Sequence, residues 1–213
     1  MYTRRDFANL IVGALGASAL LGPLGAVARR AWAASRKVLT KATTRESLIH
    51  ENPADLDTTD LEITPLDKFD TMGPTDRVVD LATWRLEIVG LVRRPASFTY
   101  AELTALPTIE REVLLICPGV FANHGRWKGL SIATLLRQAD VDPTATQVTI
   151  EGTSGKTARY ALADVLSGKV FLATHVNGTA LPRKHGFPLR VVAEDHYGAE
   201  WVKYVGRLTV ERT

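Results

Sequence analysis

Apolar positions change period several times along this chain. An uncharged run rich in Ala, Gly and Leu extends from Leu10 to Ala28, and a polar stretch with no sustained period follows from about Ser35 to Asp60. From Trp84 the order Trp84-Arg85-Leu86-Glu87-Ile88-Val89 alternates for most of its length, the period of a half-buried strand, between the breakers Gly90 and Pro95. Thr99-Tyr100-Ala101-Glu102 sets a hydroxyl three residues before a glutamate, a capping box that opens a short helix stopped by Pro107. Glu110 to Cys117 predicts a strand with Cys117 at its end, where loops bearing chemistry tend to begin. Ser131 precedes Ile132, Leu135, Leu136 and Ala139 at helical spacing, with Pro143 beyond. Gln147 to Glu151 is β-like, and Leu162 to Leu166 predicts a short helix stopped by Gly168. Val170 to Thr174 predicts a strand running toward a turn at Asn177-Gly178, and strands over Phe187 to Val192 and Val202 to Val210 close the chain. Many short strands with small helices, and no regular strand-helix alternation, predict a β-rich α+β domain rather than a doubly wound sheet.

The first uncharged run has two readings. Arg4-Arg5 precede it and Arg29-Arg30 follow, the layout of a twin-arginine export signal, with Ala31-Trp32-Ala33 or Ala26-Val27-Ala28 as a cleavage site. The other reading is a membrane anchor, since the run approaches the roughly 20 residues a spanning helix needs. Four glycines and Pro23 make it a poor one, although an uncleaved signal could still tether the chain. Residues 1–33 are therefore expected to be the signal peptide, 34–63 a linker or an arm laid over the domain, and 64–213 the functional domain.

Charge changes this picture little. The chain carries a formal +3, but Arg4, Arg5, Arg29 and Arg30 set against Asp6 account for all of it. The remainder is formally neutral and has no basic stripe, which argues against nucleic acid as a partner. About 180 residues then remain, enough for one domain with a sizeable core.

Cysteine usage changes it more. Exported proteins usually pair their cysteines, yet Cys117 is the only one here. It is either an inert buried thiol or one kept for its chemistry. Downstream, Leu181-Pro182-Arg183-Lys184-His185-Gly186-Phe187-Pro188-Leu189-Arg190 and Tyr197-Gly198-Ala199-Glu200-Trp201-Val202-Lys203 place His185, Arg190 and Lys203 near glycines that allow close approach to the backbone. Such donors suit a phosphate, which Arg grips at two points and Lys as a point charge. With one thiolate added, the set extends to a soft metal carried on a phosphorylated organic cofactor. His124, Arg126 and the Asp195-His196-Tyr197 cluster are further polar candidates, as consistent with solvation as with function.

In order and separation, Cys117, Trp127-Lys128-Gly129-Leu130, His185-Gly186-Phe187-Pro188-Leu189-Arg190, Tyr197-Gly198 and Trp201-Val202-Lys203 resemble the molybdopterin domain of the sulfite oxidase superfamily. The similarity covers roughly Thr64 to Val210. It implies a β-rich sulfite-oxidase-type molybdopterin-binding domain, a molybdenum-molybdopterin cofactor with Cys117 as metal ligand, and pterin or phosphate contacts from His185, Arg190, Trp201, Val202 and Lys203. Thr153 falls near a further cofactor-contacting position. The implied activity is two-electron oxygen-atom transfer on a small-molecule substrate in the periplasm, and a twin-arginine signal fits it, since that route exports proteins already folded around a cofactor. Sulfite-oxidising members have basic residues soon after the metal cysteine, whereas this chain has Pro118, Gly119, Val120, Phe121 and Ala122. The superfamily's methionine-sulfoxide reductases have an amino-terminal Asn and Tyr-Glu contacting the cofactor, with no clear match around Pro65 to Pro74. After the last predicted strand no room remains for the carboxy-terminal dimerisation domain of sulfite oxidases. No Cys-x-x-Cys-His is present for attached haem, so a cytochrome or other electron-transfer protein, soluble or membrane-embedded, is the expected partner. Two alternatives stay open: a cofactor-free exported module of the same fold, and a thiol enzyme using Cys117 with His124 or His185 as base.

Overall fold

The computed structural model describes residues 36–213. The expected signal peptide lies outside the described residues, as does the start of the expected arm. No helix among the described residues is long and apolar enough to cross a membrane.

The elements follow one another as strands, most of them short, and helices of one or two turns. The arm contributes β1 (Lys37–Val38), α1 (Arg45–Leu48) and β2 (Leu56–Asp57), with β1 and β2 paired in parallel. Then come β3 (Leu86–Gly90), β4 (Ala96–Phe98), α2 (Tyr100–Thr104), β5 (Thr108–Cys117), β6 (Phe121–Ser131) and α3 (Ile132–Ala139). The chain finishes with β7 (Gln147–Gly152), β8 (Thr157–Ala161), α4 (Leu162–Ser167), β9 (Val170–Val176), β10 (Thr179–Ala180), β11 (Arg190–Ala193) and β12 (Val205–Glu211). One sheet has the order β10-β9-β6-β5, with β11 on β9 beside β10; the other has the order β4-β3-β12-β7-β8.

Local chemistry explains most boundaries. Thr99 accepts from the Glu102 amide while the Glu102 carboxylate reaches back to the Thr99 amide, completing the expected capping box of α2. Asn177 and Gly178 both take positive φ between the paired residues Val176 and Thr179, as a two-residue hairpin turn requires. Ser131 precedes α3 as expected but makes no side-chain cap bond. Strand β6 exceeds its sequence signal. Only Trp127 to Leu130 stands out by pattern, yet ten of its eleven residues pair with β5, from Phe121 opposite Cys117 to Leu130 opposite Thr108. Its first five residues are buried whichever way they point, which erases the two-residue alternation.

The inner faces of both sheets, with α3 and α4, share one hydrophobic core running from Phe69 to Val210 in sequence. A second, smaller core lies outside it. There Leu39, Leu48, Leu56 and Leu61 of the arm cover Leu114, Ile116 and Ala122 of β5 and β6.

The two sheets meet where β11 leads toward β12. Arg190 and Lys203 form an isolated antiparallel bridge, the Val191 amide donates to the Val202 carbonyl, and the Val205 amide donates to the Leu189 carbonyl. This junction brings the distant cationic residues of the sequence side by side.

Candidate functional site

The hairpin Pro118-Gly119-Val120 carries Cys117 back into β6, closed by the Val120 amide donating to the Cys117 carbonyl. Cys117 is partly exposed at the floor of a cleft of about 320 Å³. Its wall on one side is the loop from Asp70 to Pro74, and on the other the turn Gly198–Glu200 with Trp201. A Cβ at Gly198 would stand 2.9 Å from Leu115 Cδ1 and 3.2 Å from the Ile116 carbonyl oxygen, so glycine lets this turn lie directly against the strand that ends in Cys117. Tyr160 secures the same turn by donating its hydroxyl to the Glu200 carbonyl. Cys117 Sγ lies 3.9 Å from Met72 Sδ, and burial pushes its thiol pKa up.

Arg190 and Lys203 meet in the cleft, which Lys156 and Asp70 also line. Arg190 is 4% exposed, and its guanidinium lies 5.0 Å from the Trp127 ring centre and 5.4 Å from that of Trp201. Its hydrogen bonds go to the carbonyls of His185 (3.1 Å) and Val191 (3.4 Å). Lys203 Nζ donates to the carbonyls of Pro74 (2.6 Å) and Lys184 (3.1 Å) and to Thr71 Oγ1 (3.2 Å). Among the described residues neither cation pairs with a carboxylate. Burial lowers the Arg190 pKa to about 10, while burial and then the Arg190 charge lower that of Lys203 to about 8. A charge taken out of water is costly without a partner, so the buried Arg190 and the half-buried Lys203 suit an anion in this cleft.

His185 sits beneath this pair, 1% exposed, with the edge of the Phe69 ring toward it at 5.8 Å. Burial, followed by the charges of Arg190, Lys184 and Lys203, lowers its pKa to about 4, so the ring is neutral at neutral pH. Its Nε2 is buried and has no hydrogen-bond partner among the described residues.

Of the residues singled out from sequence, Cys117, Arg190, Trp201 and Lys203 line the cleft together. His185 contacts it through Arg190. Val202 is core, and its carbonyl closes the sheet junction. Thr153 stands at the rim, where its amide donates to the Tyr204 carbonyl and its hydroxyl accepts from Arg77, while its neighbour Ser154 lines the cleft. His124 belongs elsewhere. It is buried under the arm, and its Nδ1 lies 3.1 Å from the Leu61 carbonyl and 3.3 Å from that of Glu62, which requires the proton on Nδ1. Sequence reasoning missed Met72, Phe121, Lys156 and Tyr204, all of which line the cleft. Their only signal was adjacency to a motif or to a glycine.

Fold and cleft together define an α+β domain that presents one thiol and two cations, unpaired with carboxylates among the described residues, to a shared cavity. The family model for the oxidoreductase molybdopterin binding domain matches residues 72–213, and the chain belongs to that family. It is similar to the protein-methionine-sulfoxide reductase catalytic subunit MsrP of Gluconobacter oxydans, with 32% identity over 160 residues, 64% of this chain and 51% of the relative. It is also similar to the mitochondrial sulfite oxidase of Rattus norvegicus, with 31% identity over 169 residues, 62% of this chain and 30% of the relative. Among solved structures, the sulfane dehydrogenase SoxCD from Paracoccus pantotrophus superposes with a TM-score of 0.61 at 26% identity, covering 64% of this chain and 40% of that one. The chain thus spans about half the length of the curated reductase and less of the oxidase.

Membership implies a molybdopterin cofactor, and the residues present fit one. Among the described residues, a soft thiol faces the same cavity as two cations without a carboxylate partner, and a buried histidine nitrogen nearby has no hydrogen-bond partner.

Proposed function

We propose that this chain is an exported molybdenum-pterin oxidoreductase that performs two-electron oxygen-atom transfer on a small oxo-substrate and exchanges electrons with a separate redox protein. The observation that carries it is one cleft holding Cys117 together with Arg190 and Lys203, cations that pair with no carboxylate among the described residues. Cys117 would ligate the metal, Arg190 and Lys203 would hold the pterin phosphate, and His185, Trp201, the Val202 backbone and Thr153 would flank the pterin. When bound, the cofactor supplies the two-electron redox chemistry.

The chain's own part is binding, orientation and proton control. The raised thiol pKa of Cys117 keeps the free residue protonated, so metal binding releases that proton. Met72, Leu115, Pro118 and Phe121 form an apolar surround for Cys117. This favours an uncharged oxo-substrate of the sulfoxide type over anionic sulfite, in keeping with the absence of basic residues from Pro118 to Ala122. A cytochrome, soluble or membrane-embedded, fits as electron partner because the chain has no haem-attachment motif. The Arg4-Arg5 segment supports delivery to the periplasm by the twin-arginine route. Thiol catalysis finds less support, since neither His124 nor His185 is among the residues lining the cleft with Cys117.

Full-length protein from a molybdenum-replete host is expected to carry about one molybdenum per chain and to release a fluorescent pterin on oxidation. A panel of sulfoxides, N-oxides and sulfite then fixes substrate and direction. Protein without stoichiometric molybdenum, or full activity in Cys117→Ser, would overturn the proposal.

A further inference from the structure

Among the described residues, Asp70 is the one carboxylate lining the cleft, where it shares the cavity with Lys156, Arg190 and Lys203. A bare carboxylate there would oppose any anion drawn in by those cations. It is not bare. Arg45, on α1 of the arm, donates from Nη2 to Asp70 Oδ2 at 2.6 Å and to Asn123 Oδ1 at 3.2 Å. The other two nitrogens are also engaged, Nε with the Ala122 carbonyl at 2.8 Å and Nη1 with the Lys68 carbonyl at 2.9 Å. Asn123, fully buried in β6, holds the Asp70 backbone at both ends, donating to its carbonyl at 2.9 Å and accepting from its amide at 3.3 Å.

We propose that Arg45, from outside the stretch matching the family, is a positioning residue for the anion site: it neutralises Asp70 and pins the loop that walls the cleft. Four acceptors in one fork exclude lysine, whose single ammonium cannot reach two carbonyls, an amide oxygen and a carboxylate in that geometry. The arm is well placed for this role, because it also contacts segments next to two other parts of the cleft lining. Ile49 accepts from the Gly119 amide in the hairpin that follows Cys117, and Arg36 grips both carboxylate oxygens of Asp195, three residues before the Gly198 turn.

This inference rests on the cofactor reading above, and its test separates the two. Full-length wild type, Arg45→Gln and the double variant Arg45→Gln/Asp70→Asn are prepared from the same molybdenum-replete host. Molybdenum and oxidised pterin retained per chain are then followed during dialysis against inorganic phosphate. Arg45→Gln should lose both about fivefold faster, the upper end for a partly exposed ion pair. The double variant should return to within about twofold of wild type, because it removes the charge that Arg45 no longer cancels. Retention by Arg45→Gln equal to wild type overturns the inference. So does a double variant that loses cofactor as fast as Arg45→Gln while melting at the same temperature as wild type. A wild-type chain that never carries pterin brings down the functional reading itself, and this inference with it.

Discussion

Lys203 and His185 are both basic side chains with lowered pKa values, yet they do opposite work. Lys203 must be charged to hold an anion, and its pKa near 8 means that it loses its proton just above neutrality. Affinity of the cofactor-free full chain for inorganic phosphate, counted on the dianion alone, should therefore fall as pH rises through about 8. Calorimetry across pH 6.5 to 9.5 checks this, with Lys203→Met removing the inflection and Arg190→Met weakening phosphate binding at every pH. His185 is neutral where the fold is used. Because its folded pKa of about 4 lies below the unfolded value of about 6.5, the unfolded chain takes up a proton first. Its contribution is complete above pH 6.5 and drains away as pH falls toward 4, by up to about 3 kcal/mol. Melting curves between pH 4 and 7 should show this slope in wild type and a flatter one in His185→Phe. In sequence these residues stood out as donors near glycines. Their titration behaviour was not legible there, because it arises from burial against Phe69, Trp127 and one another.

Elements differ in how openly the sequence announces them. The capping box at Thr99 and Glu102, the Asn177-Gly178 turn and the Leu162 helix depend on near neighbours, so a short window of sequence suffices. Strand β6 depends on β5 and β9 across the sheet, and its buried residues on both sides leave no alternation to read. Gly129 shows what such pairing demands. A Cβ there would lie 1.9 Å from the Leu172 carbonyl oxygen, beside the irregular register between Lys128 and Gly129, so strand β9 would have to move. Gly129→Ala should reduce soluble expression sharply, with any recovered protein melting well below wild type. Gly186 is a milder case with a local readout. It has φ of +111°, and an added Cβ would stand 3.1 Å from Arg190 Cβ and from Lys203 Cβ and Cγ. Gly186→Ala should cost about 1–3 kcal/mol in stability and weaken phosphate binding together, since the same strain parts the two cations.

At the scale of the whole molecule, residues 36–61 are as much part of the fold as the sheets. Their leucines seal Leu114 and Ile116 on the outer face of β5. Leu48 is 2% exposed, and Leu48→Ala should cost about 2–5 kcal/mol by opening a cavity in this small core. Thermal melting checks this, and a loss below about 1 kcal/mol would mean that the arm only rests on the surface. A polar composition disguised this role. Four leucines spread over more than twenty residues have no period, and only the path of the chain brings them onto one patch.

By itself the sequence determined the β-rich class, the lone thiol and the ordered motifs that tie the chain to its family. Those features are local in composition or spacing. Only the tertiary structure decided that Arg190 and Lys203 share a cleft with Cys117, that His124 of β6 lies under the arm instead, and that Asp70 faces the cleft under the guard of Arg45. Each of these depends on which strands meet and on what burial removes from water. A chain read in one dimension does not contain that information explicitly, because charge compensation and desolvation are properties of neighbours in space.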